Sequence, residues 1–148
     1  MLRREEIAQE IWNRLSNIVG VQRVARNPEN PPDINDLPTA QFFELDDVVT
    51  EMRMRGNSPA YKRELTIVIE VFVAGSSEAA ASKELMSFVK EMKSAFYSNG
   101  NSLSNANARL GLIQETEQSR ILRPGVGSHV AGIGTVFKIS YTEDSNNY

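Results

Sequence analysis

Between Lys62 and Ala74 the apolar residues Leu65, Ile67, Ile69, Val71 and Val73 recur at every second position. Side chains alternate across a strand, so these five share one face, and Thr66, Val68, Glu70 and Phe72 occupy the other. One wholly apolar face and one mixed face predict a central strand packed on a core, its second face partly covered by another layer or another subunit. After Gly75-Ser76-Ser77 the period changes. Leu85, Phe88, Val89, Met92 and Phe96 fall on one stripe of a helix spanning Ser76 to Tyr97. Ser76 or Ser77 can cap it, with Glu78 close by.

The same helical spacing at Ile7, Ile11, Leu15, Ile18 and Val19 predicts a first helix over Arg3 to Val19. Glu5 and Glu6 lie in its first turn, where the dipole favours anions, and Gly20 ends it. Ala8 and Trp12 flank the stripe, so the expectation is a core tryptophan. A short strand follows over Val21 to Arg26. The segment from Asn27 to Pro38 carries four prolines and must be an exposed loop, because proline removes backbone donors and fixes φ.

Two strands are expected over Thr39 to Leu45 and Val48 to Arg53, with Asp46-Asp47 as turn or bulge, and Gly56-Asn57-Ser58-Pro59 breaks the chain before the long strand. The run Ser98 to Asn107 reads as flexible, and a strand from Leu110 to Gln118 has a polar second half suited to an edge. Ile133 to Thr142 alternates as a last strand, followed by a mobile tail from Glu143 to Tyr148. The predicted fold is α+β: a mixed, largely antiparallel sheet of about five strands with two helices packed on it, in a single domain 1–148 with mobile loops near 27–38, 98–108 and 121–134.

Composition removes several chemistries. The 148 residues contain no cysteine, which excludes disulfides, thiolate catalysis and thiolate zinc sites. Sixteen basic and 19 acidic residues give a formal charge of -3, without the basic excess that draws a protein onto nucleic acid or an anionic membrane. The N-terminal stretch reads as an amphipathic helix, not an uninterrupted apolar segment, so the expectation is a cytoplasmic product without secretory signal or membrane span. His129 is the single histidine, in the glycine-rich stretch Arg123 to Gly134, and triad or zinc chemistry needs several convergent partners. Gly125-Val-Gly127 lacks the third glycine of a dinucleotide loop, and Gly56-Asn-Ser-Pro-Ala60 lacks the final glycine of a nucleophile elbow. Glu115 and Glu117 could share a strand face as a weak cation site. No enzyme, cofactor or metal is expected.

What remains is surface. From Glu29 to Glu51 there are seven acidic residues and no lysine or arginine, and Arg53, Arg55, Lys62 and Arg63 follow. Such segregation is either a solvated surface or two halves of a head-to-tail contact between copies, because a heterologous interface needs unlike patches on one protomer. On the second reading Asp46, Asp47 and Glu51 of one subunit meet Arg53, Arg55 or Arg63 of the next. Arg123, Gly127 and His129 are candidates for contact with a further protein.

The order of elements is similar to that of bacteriophage tail terminator proteins, the group of minor tail protein U and other tail-completion proteins. The similarity lies in Ile18-Val-Gly20-Val21 after the first helix, Leu37-Pro38 before a strand with Phe42-Phe43, the strand Arg63 to Glu70, the helix with Ala79-Ala-Ala-Ser82 and the strand Gly134 to Thr142. It spans nearly the whole chain through patterning, with few fixed side chains. The resemblance implies a virion structural protein, assembled in the host cytoplasm. It would form a homo-hexameric ring on the head-proximal end of the tail tube, stop tube polymerisation and join the tail to the neck. Its implied partners are the tail tube protein and a neck or head-completion protein, with the sheath protein as a further neighbour; DNA passes through without specific binding. The alternatives are another neck or head-tail completion protein, or a small hydrolase or ligand-binding domain.

Overall fold

The structure is a computed structural model that describes residues 2–119, 121 and 129–144. In chain order it comprises α1 (Arg3–Ser16), β1 (Arg23–Arg26), a 3-10 turn (Ile34–Asp36), β2 (Thr39–Arg55), β3 (Ser58–Ala74), α2 (Glu78–Phe96), β4 (Ser98–Ser104), β5 (Arg109–Gln118) and β6 (Val130–Glu143). The strands form one sheet in the order β1-β2-β3-β6-β5-β4. β1 runs parallel to β2, and every other neighbouring pair is antiparallel. This is the α+β class that the pattern predicts, with six strands where five were expected.

Both helices pack on the same face. Leu65, Ile67, Ile69, Val71 and Val73 of β3 are completely buried, against Ile7, Ile11 and Leu15 of α1 and Leu85, Met92 and Phe96 of α2. Each large apolar side chain contributes about 1.5–3 kcal/mol on full burial, so this stripe is the main source of stability. The rings of Phe96 and Phe137 meet at 4.7 Å between centroids beneath the end of α2. The Ser77 hydroxyl accepts from the Ala80 amide at 3.1 Å and caps α2. On the opposite face no second layer lies over β3 among the described residues. Phe72 instead lies flat across Gly132 of β6, at the pair Phe72–Gly132, where a methyl on the glycine would overlap the ring.

Several expectations change. Residues 39–55 form one strand, not two, because Leu45-Asp46 is accommodated as a bulge between the pairs Glu44–Ile67 and Asp47–Leu65. Gly56 takes φ 63° and with Asn57 makes a two-residue turn, so the expected chain break is the tip of a long hairpin. Residues 98–104, expected to be flexible, are the edge strand β4. There the Arg14 guanidinium of α1 donates to the carbonyls of Ser102 and Ser104, anchoring polar residues that no apolar pattern announced. The last strand begins at Val130, inside the expected loop 121–134, and the tail beyond Asp144 lies outside the described residues. Trp12 is 40% exposed and not a core residue, because the stripe of α1 that faces the sheet is narrower than its apolar composition suggests.

Candidate functional site

Past the bulge β2 runs on as an edge of the sheet beyond the end of β1, and with β3 it forms a long hairpin, the arm, flanked by β6 as far as the pair Tyr61–Glu143. No residue of β2 from Leu45 to Arg55 is buried, although five of them are large and apolar: Leu45, Val48, Val49, Met52 and Met54, each close to half exposed. A second bulge lies between Val49 and Glu51. The register then sets Val49 opposite Arg63, Met52 opposite Tyr61 and Met54 opposite Pro59, all on the side of the sheet that the helices cover nearer the core. Here no helix covers them. Exposed apolar residues scattered singly are ordinary, whereas a row of them along one hairpin makes this the leading candidate for an interaction surface.

The root of this arm is held by ionic contacts. Glu44, its side chain only 5% exposed, pairs with Arg26 and, at 3.3 Å, with Arg4. Arg26 also binds both carboxylate oxygens of Glu5, at 2.8 and 3.0 Å. Hydrogen bonds from Arg26, helped by its charge and that of Arg4, hold the Glu5 carboxyl below its usual value against a small opposing effect of burial. Asp47 turns toward the core side of the bulge, where the Tyr141 hydroxyl donates to it at 2.6 Å and Arg4 approaches to 3.5 Å. Burial, then the hydrogen bond to Asp47, raises the Tyr141 phenol well above its ordinary value, so it remains a donor throughout the physiological range. These groups tie the root of the arm to α1, β1 and β6.

All six residues expected at a subunit interface lie on this hairpin. Asp46 sits in the bulge and Asp47 just after it opposite Leu65, Glu51, Arg53 and Arg55 lie on the distal half of β2, and Arg63 on the facing strand. Acidic and basic stretches that are separate along the sequence are interleaved in space, because the antiparallel turn folds one back on the other. Glu51 pairs with Arg53 and, at 3.5 Å, with Lys62; Arg55 pairs with Asp144 at 3.2 Å; Arg63 lies 3.3 Å from Glu143 and 4.0 Å from Asp47. Of the three candidates for contact with a further protein, Arg123 and Gly127 lie outside the described residues. His129 has an exposed side chain, and its carbonyl accepts from the Gly75 amide at 2.8 Å.

Two further surfaces flank the arm. At the hairpin end of the sheet, where β5 begins beside β6, a cleft of about 530 Å³ is walled by Arg3, Arg55, Lys62, Arg63 and Arg109, with Asp144 as the one carboxylate among its described residues and Leu110, Gly111 and Leu112 in its apolar lining. At the other end of the β2–β3 ladder, the proline-rich loop before β2 is fastened in place. The Asp33 carboxylate accepts from the Asn35 amide at 2.9 Å, Arg23 pairs with Asp36 at 3.2 Å, and the Thr39 hydroxyl donates to the Asp36 carbonyl at 2.6 Å. The loop presents exposed Glu29 and Asp33 beside Ile34, which is 61% exposed. Sequence reading missed both arrangements: Arg3 and Arg109 belong to distant segments, and no local spacing joins them to Arg55.

Among the described residues no three metal-ligating side chains converge. Glu115 and Glu117 do not share a face, because a bulge between them sets Glu115 opposite Phe137 and Glu117 opposite Val136, and Glu115 pairs with Lys93 at 2.8 Å. No described helix is long and apolar enough to cross a membrane.

No family model matches the chain, and no curated protein matches it. Among solved structures it is similar to a chain of the virion of a native gene transfer agent particle, with 15% identity and a TM-score of 0.42, over 89% of this chain and 91% of that one. A likeness at that level carries no functional argument.

Proposed function

We propose that this chain is a structural protein of a phage-type tail, which joins copies of itself into a closed six-membered ring, caps the head-proximal end of the tail tube and offers its other side to a neck protein. The observation that carries the self-association is the arm: a hairpin whose root is held by ion pairs and whose five large apolar residues stay about half exposed among the described residues. The tail-terminator role itself rests on the resemblance in element order and patterning. In that reading the arm of each subunit lies against its neighbour, and Asp46, Glu51, Arg53 and Arg55 form the polar rim around the apolar contact, where they set register more than affinity. Termination follows from geometry. One side of the ring matches the last ring of the tube, and the other gives a further tube subunit no complementary edge. A formal charge of -3 leaves no strong attraction for phosphate, so DNA slides through the lumen.

Electron microscopy of the purified protein, alone and mixed with tube ends, tests the proposal. Closed sixfold collars bound at tube ends alone are expected. Decoration along the tube's length, or a protomer that never associates at high concentration, overturns it. Met52→Asp with Met54→Asp should leave the fold intact and abolish the collar, since two charges would be buried without partners in the apolar contact.

A further inference from the structure

We infer that the acidic loop before β2 docks into the basic cleft of the next copy, as a second contact of the ring; this rests on the ring reading above. The two surfaces are unlike and complementary. The loop offers exposed Glu29 and Asp33 together with the exposed apolar Ile34, and the cleft offers, among its described residues, five cationic side chains against one carboxylate over an apolar lining that includes Leu110 and Leu112.

Four of those cations have carboxylate neighbours in the chain: Arg3 with Glu6, Arg55 with Asp144, Lys62 with Glu51 and Arg63 with Glu143. The exposed Lys62–Glu51 pair holds weakly, and Arg55, itself 67% exposed, can share its guanidinium between Asp144 and an incoming carboxylate. Arg109 makes no ion pair among the described residues and is exposed.

A subunit cannot satisfy itself. The loop ends where β2 begins, at Thr39, and the cleft draws on Thr50 and Arg55 farther up the same strand, so about 11 residues or roughly 35 Å of extended chain separate them. The loop is also preset: its 3-10 turn, the Arg23–Asp36 pair and the Thr39 hydrogen bond hold Ile34 outward before any partner arrives, which lowers the ordering cost of docking. A knob at one end of the ladder and a socket at the other make a heterologous contact, the kind that closes into a ring when the rotation fits.

A charge exchange decides it. One variant carries Glu29→Lys and Asp33→Lys, the other Arg55→Glu and Arg109→Glu; all four side chains are exposed, and circular dichroism with thermal melting verifies that both variants fold. Light scattering should find each variant alone at protomer mass, a sixfold drop from the ring. An equimolar mixture should recover the ring, because each reversed knob meets a reversed socket and each native knob a native one in an alternating ring of even number. A ring formed by either variant alone, or a mixture of folded variants that stays protomeric, overturns the docking and leaves the ring reading standing if the wild-type chain still closes. A wild-type chain that never closes overturns the ring reading, and the docking with it.

Discussion

Arg14 offers the sharpest test of how the fold is held. Its side chain is 4% exposed, and the guanidinium donates to the Phe96 carbonyl at 2.7 Å, the Ser102 carbonyl at 3.3 Å and the Ser104 carbonyl at 3.2 Å. One residue of α1 thus closes the C-terminal end of α2, where the helix dipole is negative, and fixes the edge strand β4. Its counterion Glu10 stands 3.9 Å away, and burial weakens the charge of both: it lowers the Arg14 value and raises that of Glu10. Arg14→Met keeps most of the apolar stem and removes every donor. Three carbonyls then lose a charged partner, at about 1–3 kcal/mol for each that stays dry, while the cost of burying the guanidinium, several kcal/mol, is recovered. The balance is a loss of about 3 kcal/mol. At roughly 2–4 °C per kcal/mol for a chain of this size, the melting temperature should fall by about 6–12 °C.

Urea titration followed by Trp12 fluorescence, with Arg14→Lys beside Arg14→Met, measures this. Lysine keeps the charge but cannot fork across three carbonyls, so it should fall between the wild type and the methionine variant. A methionine variant within about 0.5 kcal/mol of wild type would mean that desolvation cancels the hydrogen bonds, and the clamp would then be a feature of geometry and not of stability.

Gly132→Ala should cost about 1–3 kcal/mol by forcing a methyl into the Phe72 ring, and Phe72→Leu should relieve part of that loss in a chemical melt. Gly75→Ala should be worse tolerated, since its Cβ would overlap the Ala81 backbone at the start of α2, which no rotamer change can clear. Ser77→Ala removes the cap of α2 and should lower stability by about 1 kcal/mol. Glu5 has a folded value below the ordinary 4.5, so its contribution is present above that pH and lost as pH falls through the lowered value; Glu5→Gln should flatten the acid limb of a stability-against-pH curve.

The core was legible because burial there is one-sided. Leu65 to Val73 and the Leu85 to Phe96 stripe each face a single layer, so their periods survive in the sequence and name the residues that the fold buries. The arm was not legible as an arm. Val48, Val49, Met52 and Met54 have the composition of a strand that packs, and a pattern read alone assigns such residues a core inside the same chain. Two bulges also shift the side-chain parity of β2, so its faces cannot be followed from Phe42 to Met54 by counting in twos. β4 failed for the opposite reason: Ser98 to Ser104 is almost wholly polar and is held by backbone pairing and by Arg14, which lies more than 80 residues away in sequence. The pairing of the charge blocks within one chain was not legible either, since the hairpin turn that brings Glu51 to Lys62 is what separates them in sequence. Val48, Val49, Met52 and Met54 carry the hydrophobic signal of packing yet stay about half exposed among the described residues, which is why the proposed self-contact is built on them. For this chain the proposed ring contact therefore starts from residues 45–55, with the basic cleft beside them as its second half.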